Sequence, residues 1–303
     1  MTATVAPAAT DLAVAPTRRR RPRGRSASAV FVFVLAVLWL IPLVWTLYTS
    51  LRTEADTNVH GYFSWAHSLT LSNYRDAWTQ GQIAEHFWNS VKITVPAVII
   101  TLFLASCVAF VVSRFSFRFN LIMLLIFTAG NLLPQQILLA PLFKIYTTVQ
   151  VPTWFSSSGE LYDSISGIVL INVAFQTGFC VFVLSNFMRT IPEELTEAAL
   201  MDGASVWTQY WRITLPLCRP ALAALATLLT TWIYNDFFWA LTLMSTGDKL
   251  PITSAIKNLQ GEFAQNANLL SAGSLIIAIP TLVVYLVLQR QFIAGLTLGS
   301  TKG

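Results

Sequence analysis

AVFVFVLAVLWLIPLVWTLYTSL, residues Ala29 to Leu51, runs for 23 residues without a charged side chain. At 1.5 Å of rise per residue, a helix of that length crosses a hydrocarbon layer of about 30 Å. The apolar part of a cleaved secretion signal is shorter, about 7 to 15 residues, and is followed by a small-residue cleavage site. Tyr48 to Arg52 offers no such site, so the stretch reads as an uncleaved first membrane span.

Working outward, residues 1–28 are rich in Ala, Pro, Thr and Arg and have no apolar period, the composition of a disordered basic tail. Downstream lie five more charge-poor stretches: Ile93 to Ser113, Phe119 to Phe143, Ser164 to Met188, Pro220 to Met244 and Phe263 to Gln289. Among the six, only the fifth span carries a charge, Asp236. These stretches predict spans at about 29–51, 90–113, 119–147, 164–188, 220–245 and 267–289, within a membrane domain at 29–290. Backbone groups in lipid must be satisfied internally, and barrel strands would alternate over about ten residues, so the expected class is an all-α integral membrane protein with six transmembrane helices.

Composition agrees. Of the 303 residues, 55% are hydrophobic and 11% charged, against roughly 25% charged in an average soluble domain. The net charge of +5 does not point to nucleic acid, because six of the nineteen basic residues sit in one run, Arg18 to Arg21 with Arg23 and Arg25, and the rest are scattered singly. Cys107, Cys180 and Cys218 fall in or beside apolar runs and read as small hydrophobes, with no disulfide expected. Thirteen of the nineteen Lys and Arg fall on one side if the amino terminus is inside, which places both termini in the cytoplasm of a multi-pass plasma-membrane protein. Residues 291–303 are then a cytoplasmic tail.

Two connections are long. The outer loop, Arg52 to Phe87, has room for a short helix or surface cap, and His60, His67 and His86 along it read as solvated, with no metal site expected. The inner connection, 189–219, carries the functional argument. Thr190 is placed to cap a helix of about twelve residues, whose first turn holds Pro192, Glu193 and Glu194. Gly203 suits the left-handed position that ends it. Glu194, Ala198 and Met201 share one face, and Leu195, Ala199 and Asp202 the next. Helices lying on an anionic inner leaflet are rich in Lys and Arg, whereas Glu193 to Gly203 holds four acids and no base. The expected partner is therefore a protein pocket.

Glu197-Ala198-Ala199, three residues, Gly203, nine residues and then Ile213-Thr214-Leu215-Pro216 resembles the EAA loop of permeases in binding-protein-dependent ABC importers. Asn73-Tyr74-Arg75, Pro134 with Pro141, Pro192-Glu193-Glu194, Asn235 to Trp239, Gln289-Arg290, Gly295-Leu296-Thr297 and Lys302-Gly303 are similar to the carbohydrate branch, in particular the six-span subunit of the maltose-type pair. Ala240 stands where that branch usually has proline, and Tyr234 where it has tryptophan. The resemblance implies a type I importer permease fold and ATPase coupling through Glu193, Glu194, Glu197, Ala198, Ala199, Met201, Asp202, Gly203, Ile213, Leu215 and Pro216. It also implies a second homologous permease, an ABC ATPase dimer, an extracellular solute-binding protein and a carbohydrate substrate. ATP and Mg are then used by the ATPase, with no cofactor bound by this chain.

Amides inside spans need partners, and sugars offer many hydroxyls, so Asn131, Gln135, Gln136, Asn172, Gln176, Asn235 and Asp236 form a candidate substrate path. Packing between helices explains the same residues equally well. No GxxxxGK[ST] stretch, nucleophile elbow or paired-carboxylate cleft occurs, so no catalytic residue is assigned. Three alternatives stay open: an ion-coupled secondary transporter using Asp236, a membrane anchor that moves nothing, and an ABC permease for a non-sugar solute such as a glycerol phosphate.

Overall fold

The structure is a computed structural model and describes residues 24–115, 118–259 and 266–297. Contacts divide the chain into two units, Met1–Trp45 and Thr46–Gly303. In its described part the first unit is helix α1 (Gly24–Ser50) up to Trp45. Most of the basic tail, residues 1–23, lies outside the described residues, and α1 already includes 24–28.

The second unit holds α2 (Glu54–His60), α3 (Ser72–Gln80), α4 (Ile83–Arg114), α5 (Asn120–Leu132), α6 (Leu139–Thr148), α7 (Ile165–Met188) and α8 (Glu194–Met201). It continues with short turns α9 (Val206–Thr208) and α10 (Leu215–Leu217), then α11 (Arg219–Tyr234), α12 (Phe238–Leu243), α13 (Ile252–Ala255) and α14 (Ala267–Thr297). Four helices are long and apolar enough to cross a membrane, and up to six spans result if each of two bent pairs counts as one. Among the described residues there is no strand, only two isolated bridges.

Several boundaries differ from the expectation. The second span starts at Ile83, about two turns early, because the amphipathic Ile83 to Ser90 stretch joins the apolar run. The third is not one helix: α5 and the segment from Gln135 to Thr148 meet at 91°. Pro134 disfavours helical geometry in the residue before it, and Leu133 is extended at φ −74°, ψ 128°. The fifth span breaks after Tyr234 and resumes as α12. The sixth runs on to Thr297, so 291–297 continue a helix instead of starting the tail, and 298–303 lie outside the described residues.

The core is built on α4 and α7, which make the most extensive helix-to-helix contact among the described residues. Ala97, Thr101, Ala105 and Ala109 recur every four residues on α4 and are fully buried, so small side chains line one face where backbones approach closely. Cys180, Val181, Leu184 and Met188 of α7 and Leu225, Leu229 and Ile233 of α11 fill the same core. At the start of α7, Ser164 accepts from the Gly167 amide at 3.0 Å. A β-carbon on Gly167 would lie 2.2 Å from the Leu161 carbonyl oxygen, so only glycine fits that turn.

The loops are tied down by polar side chains. Asn73 donates to the carbonyls of Ser50 and Arg52 at 2.8 and 2.7 Å, and Tyr74 Oη bonds Ser50 Oγ at 2.6 Å. His86, expected to be solvated, is fully buried with its Nδ1 2.7 Å from the Leu250 carbonyl oxygen. That partner is 164 residues away in sequence, which is why spacing gave no sign of it.

Asp163, at φ +54°, holds the segment after α12. It accepts from the amides of Ser245 and Thr246 at 2.8 and 2.9 Å, from the Thr246 hydroxyl, and from Lys249 Nζ at 3.2 Å. Burial alone would push its carboxyl up, but these donors outweigh it and hold the pKa at about 2, below the ordinary 3.8. A depressed folded-state pKa contributes stability above the ordinary value that is lost as pH falls toward the lower one. Asp163→Asn keeps a residue tolerant of positive φ. Because the site is partly open to solvent, which screens the charge, the variant is expected to be less stable than the parent by about 1 kcal/mol at neutral pH. In thermal unfolding the gap should narrow between pH 4 and 2; a gap independent of pH would count against the charged role.

Candidate functional site

Helix α8 has eight residues, Glu194 to Met201, not twelve. Thr190 does not cap it, because its hydroxyl donates back to the Phe187 carbonyl at 2.7 Å and so closes the end of α7. The first helical bonds go instead to the Glu193 carbonyl, from the Thr196 and Glu197 amides at 2.8 and 3.0 Å. At the other end Gly203 adopts φ +75°. Its amide donates to Leu200 O at 3.0 Å and that of Ala204 to Ala199 O at 2.9 Å, the pair of reverse bonds that satisfies the last carbonyls of a helix.

The faces of α8 are unequal. Ala199 is buried, whereas Glu194, Leu195, Glu197, Ala198, Leu200 and Met201 are exposed, Met201 at 89%. Together with Val206 and Trp207 this puts apolar side chains next to acidic ones on an open surface, the composition of an interaction site. Glu193, Asp202 and Gly203 are exposed as well. A cleft of about 650 Å³ beside the helix is lined by Arg114, Phe115, Asn120, Arg189, Glu193 and Glu197 among others.

The segment after α8 is fixed to the core by an aromatic cluster. Tyr210 Oη lies 2.7 Å from Ser106 Oγ on α4, and its ring sits 5.4 Å from Phe110 and 5.2 Å from Trp211. Trp207 stands 5.7 Å from both Tyr210 and Trp211. Arg114 Nη1 donates to the Ile191 carbonyl at 3.2 Å, holding the entry to the loop from the end of α4. Gln209 to Thr214 form a widened π-turn, with the Leu215 amide reaching back to Tyr210 O. Pro216 has no amide to continue the ordinary ladder, and such local rewinding is the usual response. Ile213, Leu215 and Pro216 are half-buried beside this turn. The chain then bends by 71° between Val206–Leu217 and Arg219–Tyr234. No sequence signal points to the Tyr210–Ser106 bond: a tyrosine in a loop and a serine 104 residues earlier share no motif.

Two of the seven candidate path residues are brought into contact. Asn172 is buried and donates to Ile168 O at 3.0 Å and Asp236 Oδ2 at 3.5 Å, so these two meet. Asp236 sits in the break of the fifth span; its Oδ1 accepts from the Trp239 amide at 3.3 Å, capping α12, and its carbonyl accepts from Thr253 at 2.8 Å. Asn235 turns toward α14, where Thr281 donates to it at 3.3 Å. Gln135 is half-buried and Gln136 exposed in the turn after Pro134, and Gln176 is half-buried one turn from Asn172. The side chain of Asn131 lies outside the described residues. Of the aromatics, Trp239 and Tyr234 are buried, while Trp232 and Phe237 are exposed.

Comparison with known proteins bears on the family and the fold. Residues 97–294 match the family described as binding-protein-dependent transport system inner membrane component. The diacetylchitobiose uptake system permease protein NgcG of Streptomyces coelicolor is 28% identical over 274 residues, covering 88% of this chain and 87% of that protein. The trehalose transport system permease protein SugB of Mycobacterium tuberculosis is 28% identical over 266 residues, covering 87% and 93%. A crystal structure of a bacterial ABC transporter involved in import of the acidic polysaccharide alginate superposes with a TM-score of 0.73 at 22% identity, covering 89% of this chain and 96% of that one. An all-helical chain with up to six spans, an acidic alanine-bearing loop helix closed by a left-handed glycine, and a family match over 97–294 together make this protein a member of the inner-membrane components of binding-protein-dependent transport systems.

Proposed function

We propose that the chain is a permease subunit of an ATP-driven importer that takes a carbohydrate from an external binding protein, lines the path with a second related permease, and is driven by an ABC ATPase dimer on its cytoplasmic side. The observation that carries this reading is α8: eight residues, open on a face that mixes acids with Leu195, Ala198, Leu200 and Met201, and anchored from behind by Tyr210 on Ser106 and Arg114 on Ile191. The sugar assignment is supported by relatives named for diacetylchitobiose and trehalose.

In this reading an ATPase groove receives α8, and ATP-driven closure displaces it as a rigid body. The aromatic cluster of Trp207, Tyr210 and Trp211 passes that displacement to α4, and the bend before α11 passes it to the broken fifth span. Glu197 and its neighbours position the interface and take no part in hydrolysis.

The test is Glu197→Lys. Reversing an exposed charge on the docking face is expected to weaken ATPase association by about 2 kcal/mol, roughly 30-fold in Kd, if the residue sits at a hot spot. Titration of reconstituted permease pairs with the ATPase reads this directly, and unchanged affinity would remove α8 from the interface. An uncoupler added at constant ATP separates the secondary-transport alternative, which alone loses uptake.

A further inference from the structure

The loop after α1 contains an arrangement with no part in coupling. Asp56 and His60 stand one helical turn apart on α2, and the chain beyond α2 brings His67 back beside them. Asp56 Oδ1 lies 3.0 Å from His60 Nδ1 and 3.5 Å from His67 Nδ1, and the three ligand atoms fall within 4.8 Å of one another. Around a tetrahedral ion with bonds of about 2.0 to 2.2 Å, neighbouring ligand atoms are about 3.3 to 3.5 Å apart. The two spacings here bracket that range without an ion.

The carboxylate is also set in advance. Arg52 Nε and Nη2 both donate to Asp56 Oδ2, at 3.0 and 2.9 Å, which leaves Oδ1 turned toward the imidazoles. The His67 amide adds a bond to Oδ1 at 3.2 Å. Ligating carboxylates are ordinarily fixed by such outer hydrogen bonds. The guanidinium charge subtracts from cation affinity, but it balances the carboxylate and so leaves the two imidazoles as the main donors. Their rings are stacked, with centroids 4.0 Å apart and planes 21° from parallel. Binding therefore requires one ring to turn its lone pair toward the ion. His67, with a side chain 63% exposed, has room to do so, and the fourth position of a bound ion would fall to water.

We propose that Asp56, His60 and His67 form a binding site for a divalent transition-metal ion, of which Zn2+ is the best-fitting probe, and that the ion staples the loop after the first span onto α2. Two nitrogens and one oxygen favour Zn2+, Ni2+ and Cu2+ over Mg2+ and Ca2+, which take all-oxygen sites. The asymmetry of Lys and Arg puts this loop outside the cell, where ions of the medium reach it. By themselves the three histidines of the sequence lack metal-ligand spacing; the acid four residues before His60 supplies the missing ligand.

The experiment is calorimetric titration of the purified full-length chain, carrying no histidine tag, with Zn2+ and separately with Mg2+. One Zn2+ per chain is expected, with no Mg2+ uptake and with loss of binding at pH 5, where free imidazoles are protonated. His67→Ala should weaken Zn2+ binding at least about 10-fold, and the His60→Ala, His67→Ala double variant should remove it. Zn2+ should also raise the unfolding temperature of the parent but not of the double variant. Zn2+ uptake by the parent no different from that of the double variant would overturn the proposal and leave a hydrogen-bonded histidine pair only. Should the double variant fail to fold, Co2+ bound to the parent decides, since absence of the intense visible bands of tetrahedral nitrogen-oxygen coordination overturns it equally.

Discussion

Arg52→Ala is expected to lower the unfolding temperature clearly, because it leaves Asp56, one member of an ion pair shielded by the loop, without its partner. Arg52 is 1% exposed and Asp56 6%. Besides the two bonds to Asp56, its Nη1 donates to the carbonyls of Gly61, Tyr62 and Ser64 at 3.3, 3.2 and 3.1 Å, and its Nη2 to Ser64 Oγ at 3.0 Å. Removing the guanidinium takes both donors from Asp56 Oδ2, while the Gly61 and Ser64 carbonyls keep bonds from Ser64 Oγ at 2.8 Å and Tyr48 Oη at 3.1 Å. Burial works against the charge on Asp56, but the bond from Arg52 and that from the His67 amide hold its carboxyl below the ordinary carboxylate range. Thermal unfolding and limited proteolysis within 52–70 read the loss. Arg52→Met with Asp56→Leu, which deletes both charges while keeping bulk, should recover most of it. Wild-type behaviour of Arg52→Ala would mean that the pair contributes nothing to the fold.

Gly203→Val is expected to abolish most transport while leaving membrane insertion intact. Nothing lies within 4 Å of a β-carbon built at Gly203, so the substitution meets no neighbour and the penalty is conformational alone. At φ +75° an L-residue pays about 1–2 kcal/mol, and branching at Cβ puts valine at the upper end. Relief comes by leaving the left-handed region, which breaks the bonds to Leu200 O and Ala199 O and moves Ala204, whose carbonyl accepts from Gln209 Nε2 at 3.0 Å. The end of α8 and the start of the aromatic anchor shift together. Gly203→Asn, which tolerates positive φ, should retain substantially more activity. Sugar-stimulated ATP hydrolysis in proteoliposomes measures both, and normal coupling by the valine variant would disprove the role given to this helix.

The membrane class and the coupling loop are legible in the sequence because each rests on short-range rules. A run of 23 uncharged, mostly apolar residues has few alternatives, and the acidic helix closed by Gly203 obeys capping chemistry read from a dozen neighbours. The length of that helix is not legible, because Thr190 has two candidate carbonyl and amide partners, and only the three-dimensional course of α7 decides for Phe187. Pro134 is visible, yet hydropathy averages over a break, so two segments at 91° read as one span. Likewise Asp236 reads as a costly charge in lipid. Its amide partner Asn172 is 64 positions away, and composition gives no hint of the broken backbone it caps. Arg52 reads as one more outer-loop cation because its acceptors are carbonyls, which every residue carries and no sequence distinguishes.

The placing of the two breaks has a mechanical consequence. Helices α4 and α7, locked along a seam of small side chains, behave as a strut, stiff because bending either would sacrifice that packing; α4 stays one helix through Pro96, where a single ladder bond is absent. Around Leu133–Pro134 and Asn235–Phe237 the ladder is already interrupted, so rotation there costs little more than turning a loop. Force arriving from a motor would therefore be taken up at these two articulations, and compliance and stiffness would be divided between different helices of one small chain.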